Sequence, residues 1–224
     1  MGVFAVIGLG SFGTHLTEAL AAEGHQVVVI DIDKEKIQAM KDIATQAILS
    51  DAGDKNTLKA IGIKDVDAVI ISLNQDSFDT TVLLTQFLKE EGVNKILVKV
   101  NSEDEAKVVT KIGADQVIFP EKQVAIRLAK RLGNPNVIDQ IDLGEDLEIL
   151  EVNAPISFHN KTIGELNLRK KYRIQIIFIK REIGEGEEKK IRTILATPEE
   201  IILSGDTLTI VGAKKDVEKI KSLK

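Results

Sequence analysis

Val3–Gly13, VFAVIGLGSFG, sets a Gly-x-Gly-x-x-Gly pattern directly on the end of a short apolar run. The run has the composition of a buried strand, and the glycines have a mechanism. Gly8 permits a tight turn out of the strand, Gly10 lets the backbone come within contact distance of a pyrophosphate, and Gly13 lets the following helix pack close to the sheet. That helix is expected over Ser11–Glu23, with Phe12, Leu16, Ala19 and Leu20 at helical spacing and its first-turn N–H groups aimed at an anion.

The residues after the loop separate a nucleotide site from a chance glycine turn. Gly24 stops the helix, and Gln26–Ile30 read as a second buried strand ending in Asp31, 18 residues past Gly13. A carboxylate at that tip hydrogen-bonds a ribose diol and repels a 2′-phosphate. Asp33, just before the run Lys34–Asp42, reads as a helix N-cap.

The alternation continues. Strands are expected at Thr45–Ser50, Ala68–Leu73, Ile96–Val100 and Gln116–Phe119, with helices over Asp54–Ile61, Ser77–Glu91 and from Ser102, with Glu105 as a capping box, to Ile112. Near-continuous apolar strands separated by amphipathic helices predict a Rossmann-like, doubly wound parallel α/β sheet. Ligands of such sheets sit beyond the carboxyl ends of the strands where the strand order reverses. Gly8, Gly10, Ser11, Phe12 and Gly13 are therefore assigned to a cofactor, with Asp31 and Ile32 after strand two. Asp51 and Ala52 after strand three, Ser72 and Asn74 after strand four, and Lys99 at the end of strand five join them. Asp51 and Asn74 could equally be helix or turn caps, and the pattern leaves both open.

Glu121–Leu132 forms a helix apolar beyond a single stripe, through Val124, Ala125, Ile126, Leu128, Ala129 and Leu132, which calls for a second partner. Gly133, Asn134 and Pro135 stop it. With the next stretch, Val137, Ile138 and Ile141, this reads either as a crossover segment exchanged with a second subunit or as a helix closing the last edge of the sheet. At Gly144–Asp146 the period changes. Strands are expected at Leu147–Val152, Ile174–Ile179 and Ile191–Leu195, with a capped helix at Thr162–Leu166, a charged turn over Ile183–Lys190, alternation at Leu208 and Ile210, and a last helix carrying Val217, Ile220 and Leu223. The organisation predicted is 1–120 nucleotide-binding, 121–143 crossover helices and linker, and 144–224 a small α+β module.

Composition narrows the chemistry. Hydrophobic residues are 43% and charged residues 29% of 224, ordinary for a globular protein, and no run of 18 apolar residues or signal peptide is read. A cytoplasmic chain, at most peripheral to a membrane, is expected. With no cysteine, thiol catalysis, disulfides and cysteine zinc sites are excluded. A net charge of −5 with scattered Lys and Arg argues against nucleic acid. His15, His25 and His159 show no local metal spacing. A hydride-transfer enzyme needs an acid or base from a second domain. The small module offers only His159 in a turn and Tyr172 after the basic run Arg169–Lys171, so a binder without catalysis of its own is expected.

Four stretches together carry a resemblance: Val6–Gly13, Val29–Lys34 (VIDIDK), Ile112–Glu121 (IGADQVIFPE) and Lys161–Lys180 (KTIGELNLRKKYRIQIIFIK). Along its whole length the chain resembles the RCK family, regulators of Trk and Ktr potassium uptake systems. The resemblance implies a cytosolic gating subunit, peripheral on the inner membrane face, whose dimers form an octameric ring on a membrane potassium-transporting partner. NAD(H), ADP or ATP in the N-terminal lobe would set the pore's conductance. It further implies that Glu121 helps bind a divalent cation, a residue that otherwise reads as a first-turn helix acid. Ile163, Arg169 and Gln175 fall where some members bind cyclic di-AMP. Ser11 stands where many members carry an arginine that reaches a γ-phosphate, which puts discrimination of ATP from ADP by a bidentate contact in doubt and favours NAD or ADP. The rival readings are the gating ring of a ligand-gated potassium channel and a small NAD-dependent dehydrogenase.

Overall fold

The computed structural model describes residues 1–134, 136–184, 189–221 and 223, so Pro135 of the expected helix stop and residues 185–188 of the expected charged turn lie outside the described residues. The chain divides into two compact units, Met1–Glu121 and Lys122–Lys224.

The first unit alternates β1 (Val3–Ile7), α1 (Ser11–Ala22), β2 (Gln26–Asp31), α2 (Lys34–Met40), β3 (Gln46–Leu49), α3 (Lys55–Ala60), β4 (Ala68–Ile71), α4 (Phe78–Glu90), β5 (Ile96–Lys99), α5 (Glu103–Ile112) and β6 (Gln116–Ile118). All pairings are parallel, in the order β3-β2-β1-β4-β5-β6. Strand side chains alternate between faces. Ala5, Ile7, Val69 and Ile71 enter a core with Leu84 and Leu88 of α4, while Val6, Val29 and Ile70 enter a second core with Ile37 and Met40 of α2 and the packed flank of α1. Burial on both faces is why these strands read as continuous apolar runs. Asp33 and Asp54 cap α2 and α3 by accepting two backbone N–H bonds each. Ser102 caps α5, but Glu105 reaches the N–H of Asn101, one residue before the cap, so only half of the expected capping box forms.

The helix α6 (Pro120–Gly133) comes next, and then the second unit's strands and helices: β7 (Val137–Asp142), β8 (Leu147–Asn153), β9 (Lys161–Thr162), α7 (Ile163–Leu166), α8 (Leu168–Tyr172), β10 (Ile174–Ile183), β11 (Lys190–Leu195), β12 (Ile201–Ile202), β13 (Thr207–Ala213) and α9 (Lys214–Lys221). An antiparallel sheet of order β11-β10-β13-β8-β7 is covered by α9 and the α7–α8 segment, and β9 pairs with β12. Leu150, Val152, Ile174, Ile176, Leu208, Ile210, Val217 and Ile220 form its core. Val137–Asp142, part of the stretch the sequence leaves between a crossover and a closing helix, is the edge strand β7 of this sheet. β10 likewise extends four residues beyond the expected Ile179, pairing Ile183 with Lys190. There Arg181 donates to both carboxylate oxygens of buried Asp206 at 2.8 Å and to the carbonyl of Ile201, tying β10 to the turn before β13.

Candidate functional site

The strand order reverses between β1 and β4, and the carboxyl ends of β1 to β4 enclose a cleft of about 370 Å³. Its wall carries Gly8, Gly10, Asp31, Ile32, Asp51, Ala52, Ser72 and Asn74, eight of the sequence-assigned positions.

The three glycines are held for different reasons. Gly8 sits at φ +98°, and a Cβ there would lie 2.4 Å from the carbonyl oxygen of Ser72, just past the end of β4. A Cβ on Gly13 would lie 2.1 Å from the carbonyl oxygen of Gly8, so the close approach of α1 to β1 itself requires glycine. Gly10 is unlike both. It is the N-cap of α1 with φ −70° and ψ −177°, a conformation open to any residue, and the nearest atom to a Cβ would be Asn74 Oδ1 at 3.9 Å. The protein's own packing therefore does not account for Gly10, and its bare face opens on the cleft.

Asp31 organises the next wall. One carboxylate oxygen accepts the N–H of Leu9 at 2.5 Å and the other the N–H of Asp33 at 2.8 Å, so the tip of β2 is fastened to both the glycine loop and the turn into α2. Lys36, on the first turn of α2, stands 3.9 Å from Asp31 and 4.0 Å from Asp33. Across the cleft Ser72 is 4% exposed, and its Oγ has no hydrogen-bond partner. A buried hydroxyl left unpaired costs about 1–3 kcal/mol. The 3₁₀ turn Gln75–Ser77 leads into α4, whose N-cap Ser77 does not turn its hydroxyl back onto the helix.

Four assigned positions do not line the cleft. Ser11 is exposed on the first turn of α1, Phe12 packs into the core beneath it, and Gly13 is buried against Gly8. Lys99 leaves the end of β5 toward the neighbouring strand and pairs with Glu121 at 2.8 Å. That hydrogen bond holds the Glu121 carboxyl below its ordinary range, and the Lys99 charge adds to the effect. Glu121 is committed to a cation already present in the protein, and among the described residues no group of three or more His, Asp or Glu side chains could hold a metal ion. Sequence reasoning missed Lys36, Ser77 and Thr80 as wall residues, because each lies on a helix start, where its type reads as solvated or capping.

In the second unit, Ile163, Arg169 and Gln175 are brought into one cleft of about 310 Å³, closed by Thr197 and Pro198. The Arg169 guanidinium donates to the side-chain oxygen of Gln175.

A doubly wound parallel lobe with a glycine loop is followed by a small antiparallel module. The TrkA-N domain model matches residues 4–120 and the TrkA-C domain model residues 147–224. The chain is 37% identical over 218 residues to Ktr system potassium uptake protein C of Bacillus subtilis, covering 97% of this chain and 95% of that protein. It is 36% identical over 219 residues to protein A of the same system and organism, covering 98% and 95%. Vibrio alginolyticus Ktr system potassium uptake protein A is 33% identical over 221 residues, 98% of this chain and 97% of that one. The chain belongs to the RCK family of Ktr and Trk potassium uptake regulatory subunits. Among solved structures, the GsuK channel bound to NAD matches with a TM-score of 0.53 at 20% identity, over 100% of this chain and 38% of that one. The GsuK RCK domain matches with a TM-score of 0.52 at 21% identity, over 98% and 45%. The chain spans less than half of these solved chains, and at such identity they bear on the fold alone. Among the described residues no helix is long and apolar enough to cross a membrane.

Proposed function

We propose that this chain is a cytosolic gating subunit of a potassium uptake transporter, without catalysis of its own, and that it binds NAD(H), ADP or ATP in the cleft between Gly10 and Asp31. The observation that carries the reading is Gly10, whose missing side chain the fold does not require but a phosphate over the N-terminus of α1 does. The adenosine ribose would lie on Asp31, where the carboxylate oxygens keep lone pairs beyond the N–H bonds they accept. Occupancy acts on the pore by allostery: the ligand must favour one state of the assembly, and couplings of about 1–3 kcal/mol per site are typical.

The partners in this reading are a membrane potassium-transporting subunit and further copies of this chain, dimers of which build an octameric ring on the inner membrane face. The helix α6 supports self-association, because Val124, Leu128 and Leu132 recur at helical spacing and are 67%, 49% and 74% exposed. The cleft holding Ile163, Arg169 and Gln175 is the place for cyclic di-AMP if this chain binds it. A gating ring for a potassium channel would use the same parts.

A thermal-shift panel tests the reading, since a ligand bound only by the folded state raises the melting temperature. NAD, NADH, ADP or ATP should stabilise the wild type and not Gly10→Val. A shift with cyclic di-AMP should survive Gly10→Val and be lost in Arg169→Ala. No shift with any adenosine ligand would overturn the proposal, and turnover of NADH with carbonyl substrates would replace it with the dehydrogenase reading.

A further inference from the structure

Where α8 ends beside the start of α9, a cavity of about 410 Å³ is lined by Lys171, Tyr172, Arg173, Lys215, Asp216 and Lys219. Four cations face one carboxylate, which concentrates a formal charge of +3 on a chain whose net charge is −5. The carboxylate is already engaged within the protein: Asp216 is buried and accepts a hydrogen bond from Lys219 Nζ at 2.6 Å. Among the described residues Lys171, Arg173 and Lys215 form no ion pair, although acids outnumber bases 35 to 30 in the sequence. The cavity shares no lining residue with the cleft of Ile163, Arg169 and Gln175. Sequence spacing hides the cluster, since Lys215 follows Arg173 by 42 residues.

Arg173 is the residue that the fold explains least. It closes α8 at φ +56° and ψ +32°, the left-handed conformation that glycine adopts freely and that a residue with a Cβ enters at a cost. Glycine is the usual choice where a helix ends in this way. The Arg173 guanidinium makes no hydrogen bond or ion pair among the described residues, so no internal contact explains an arginine here. Asp216 shows what an anion meets at this place. The hydrogen bond from Lys219 lowers its pKa, desolvation opposes that, and the charges of Lys219, Lys215 and Arg173 lower it further. Two side chains without an ion pair of their own therefore already stabilise a negative charge.

From this cavity and its unpaired cations we propose that the second unit binds a phosphate group between α8 and α9, with Arg173 as the forked donor and Lys171 and Lys215 as point charges beside it. Of the six lining residues only Tyr172 is aromatic, and the one carboxylate is taken by Lys219. Recognition therefore rests on the phosphate oxygens and not on a base or a sugar. A free phosphate monoester and a phosphatidic acid headgroup present this same chemistry, each with a charge of about −1.5 to −2 at pH 7.

Tyr172 reports on the cavity directly, because the chain has one tyrosine and no tryptophan. Inorganic phosphate, titrated at constant ionic strength, should change its fluorescence saturably. Arg173→Gly should weaken that binding at least about tenfold, the worth of one charge-assisted pair. It should also melt at or above the wild-type temperature without phosphate, since glycine relieves the left-handed turn. The double variant Lys171→Gln, Lys215→Gln should weaken binding as well, by about threefold for each lysine and each phosphate charge about 6 Å apart in a water-like dielectric. Sedimentation with phosphatidylcholine vesicles containing phosphatidic acid separates the two sources. A headgroup ligand carries the wild type down with the vesicles and leaves Arg173→Gly in solution, whereas a free phosphate monoester gives the fluorescence change alone. A fluorescence change that is linear in phosphate or reproduced by sodium chloride, with no vesicle binding, would overturn the proposal. Affinity unchanged in both variants, or a lower melting temperature in Arg173→Gly, which would return that arginine to the fold, would overturn it too.

Discussion

Replacing Gly10 or Gly13 by alanine separates a glycine kept for a ligand from one kept for packing. At Gly13 the new Cβ would lie 2.1 Å from the Gly8 carbonyl oxygen, 0.9 Å inside the 3.0 Å limit that real Cβ contacts respect. Two backbones of a close-packed interior must part to admit it. Overpacking of this kind costs about 3 kcal/mol, of which better helix propensity returns at most about 1. The net loss of about 2 kcal/mol corresponds to roughly 8 °C in melting temperature for a lobe of this size. At Gly10 the backbone is already extended and the methyl meets nothing closer than 3.9 Å, so stability should stay within about 1 kcal/mol of wild type. That methyl occupies the path of a phosphate, and losing one charge-assisted hydrogen bond, about 1.5–3 kcal/mol, weakens binding at least about tenfold. Scanning calorimetry without ligand, followed by titration with NAD and ADP, reads both quantities. Wild-type affinity in Gly10→Ala, or a wild-type melting temperature in Gly13→Ala, would refute the reasoning.

Asp31→Ala should weaken every adenosine ligand by at least about tenfold, more than loss of one ribose hydrogen bond predicts, because the Leu9 N–H is released as well; calorimetry on adenosine and ADP checks this. Asp206→Ala should destabilise the second unit by about 3 kcal/mol, measured by urea unfolding, because the Arg181 guanidinium loses both 2.8 Å bonds to a carboxylate that is 1% exposed. Glu121 has a folded-state pKa below its unfolded value, so the stability it contributes is present above the ordinary glutamate range and is lost as pH falls through the lowered value. In Lys99→Met, carboxyl titration followed by NMR should return Glu121 to the ordinary range, and an unmoved titration would show that Lys99 is not the cause. Val124→Glu with Leu128→Glu should convert a self-associating protein to monomer in sedimentation experiments, leaving its circular dichroism unchanged.

The N-terminal sheet was legible because its strands are buried on two faces and so stand out as apolar runs between capped helices. Legibility failed where polar residues satisfy one another. β7 reads VIDQID, a linker by composition, yet Asp139 is bonded to Arg127 of α6 and Gln140 to buried Glu148 of β8. Single-residue patterns do not reveal such cross-strand partners. The extension of β10 through Lys180 and Arg181 was hidden in the same way, since Lys180 pairs with Glu151 and Arg181 with Asp206. At Lys99 the structure adds a partner that the strand pattern did not show. This lysine's place at a strand end on the ligand side suggested a cofactor contact, but Glu121, just beyond the adjacent strand β6, captures it.

The position of Asp31 bears on how a binding event could be transmitted. A ribose carboxylate that merely projected into the cleft could bind its ligand and leave the protein as it was. Here the two oxygens already hold the backbone of Leu9 in the glycine loop and of Asp33 at the cap of α2, and Asp33 in turn holds the first turn of that helix. A ribose held on Asp31 would share the two oxygens that fix the loop to the helix, so its recognition could not be separated from the geometry of both. Coupling of this kind is reciprocal: a state of the assembly that shifts the α2 cap must also change affinity for the nucleotide. Asp33→Ala, which removes the α2 cap and leaves the Asp33 N–H bond to Asp31 available, therefore tests the connection. If the cap is part of the linkage, the variant should alter how ligand changes hydrogen exchange in α2 as well as affinity itself. Exchange in α2 that responds to ligand as in the wild type would show that Asp31 binds without transmitting.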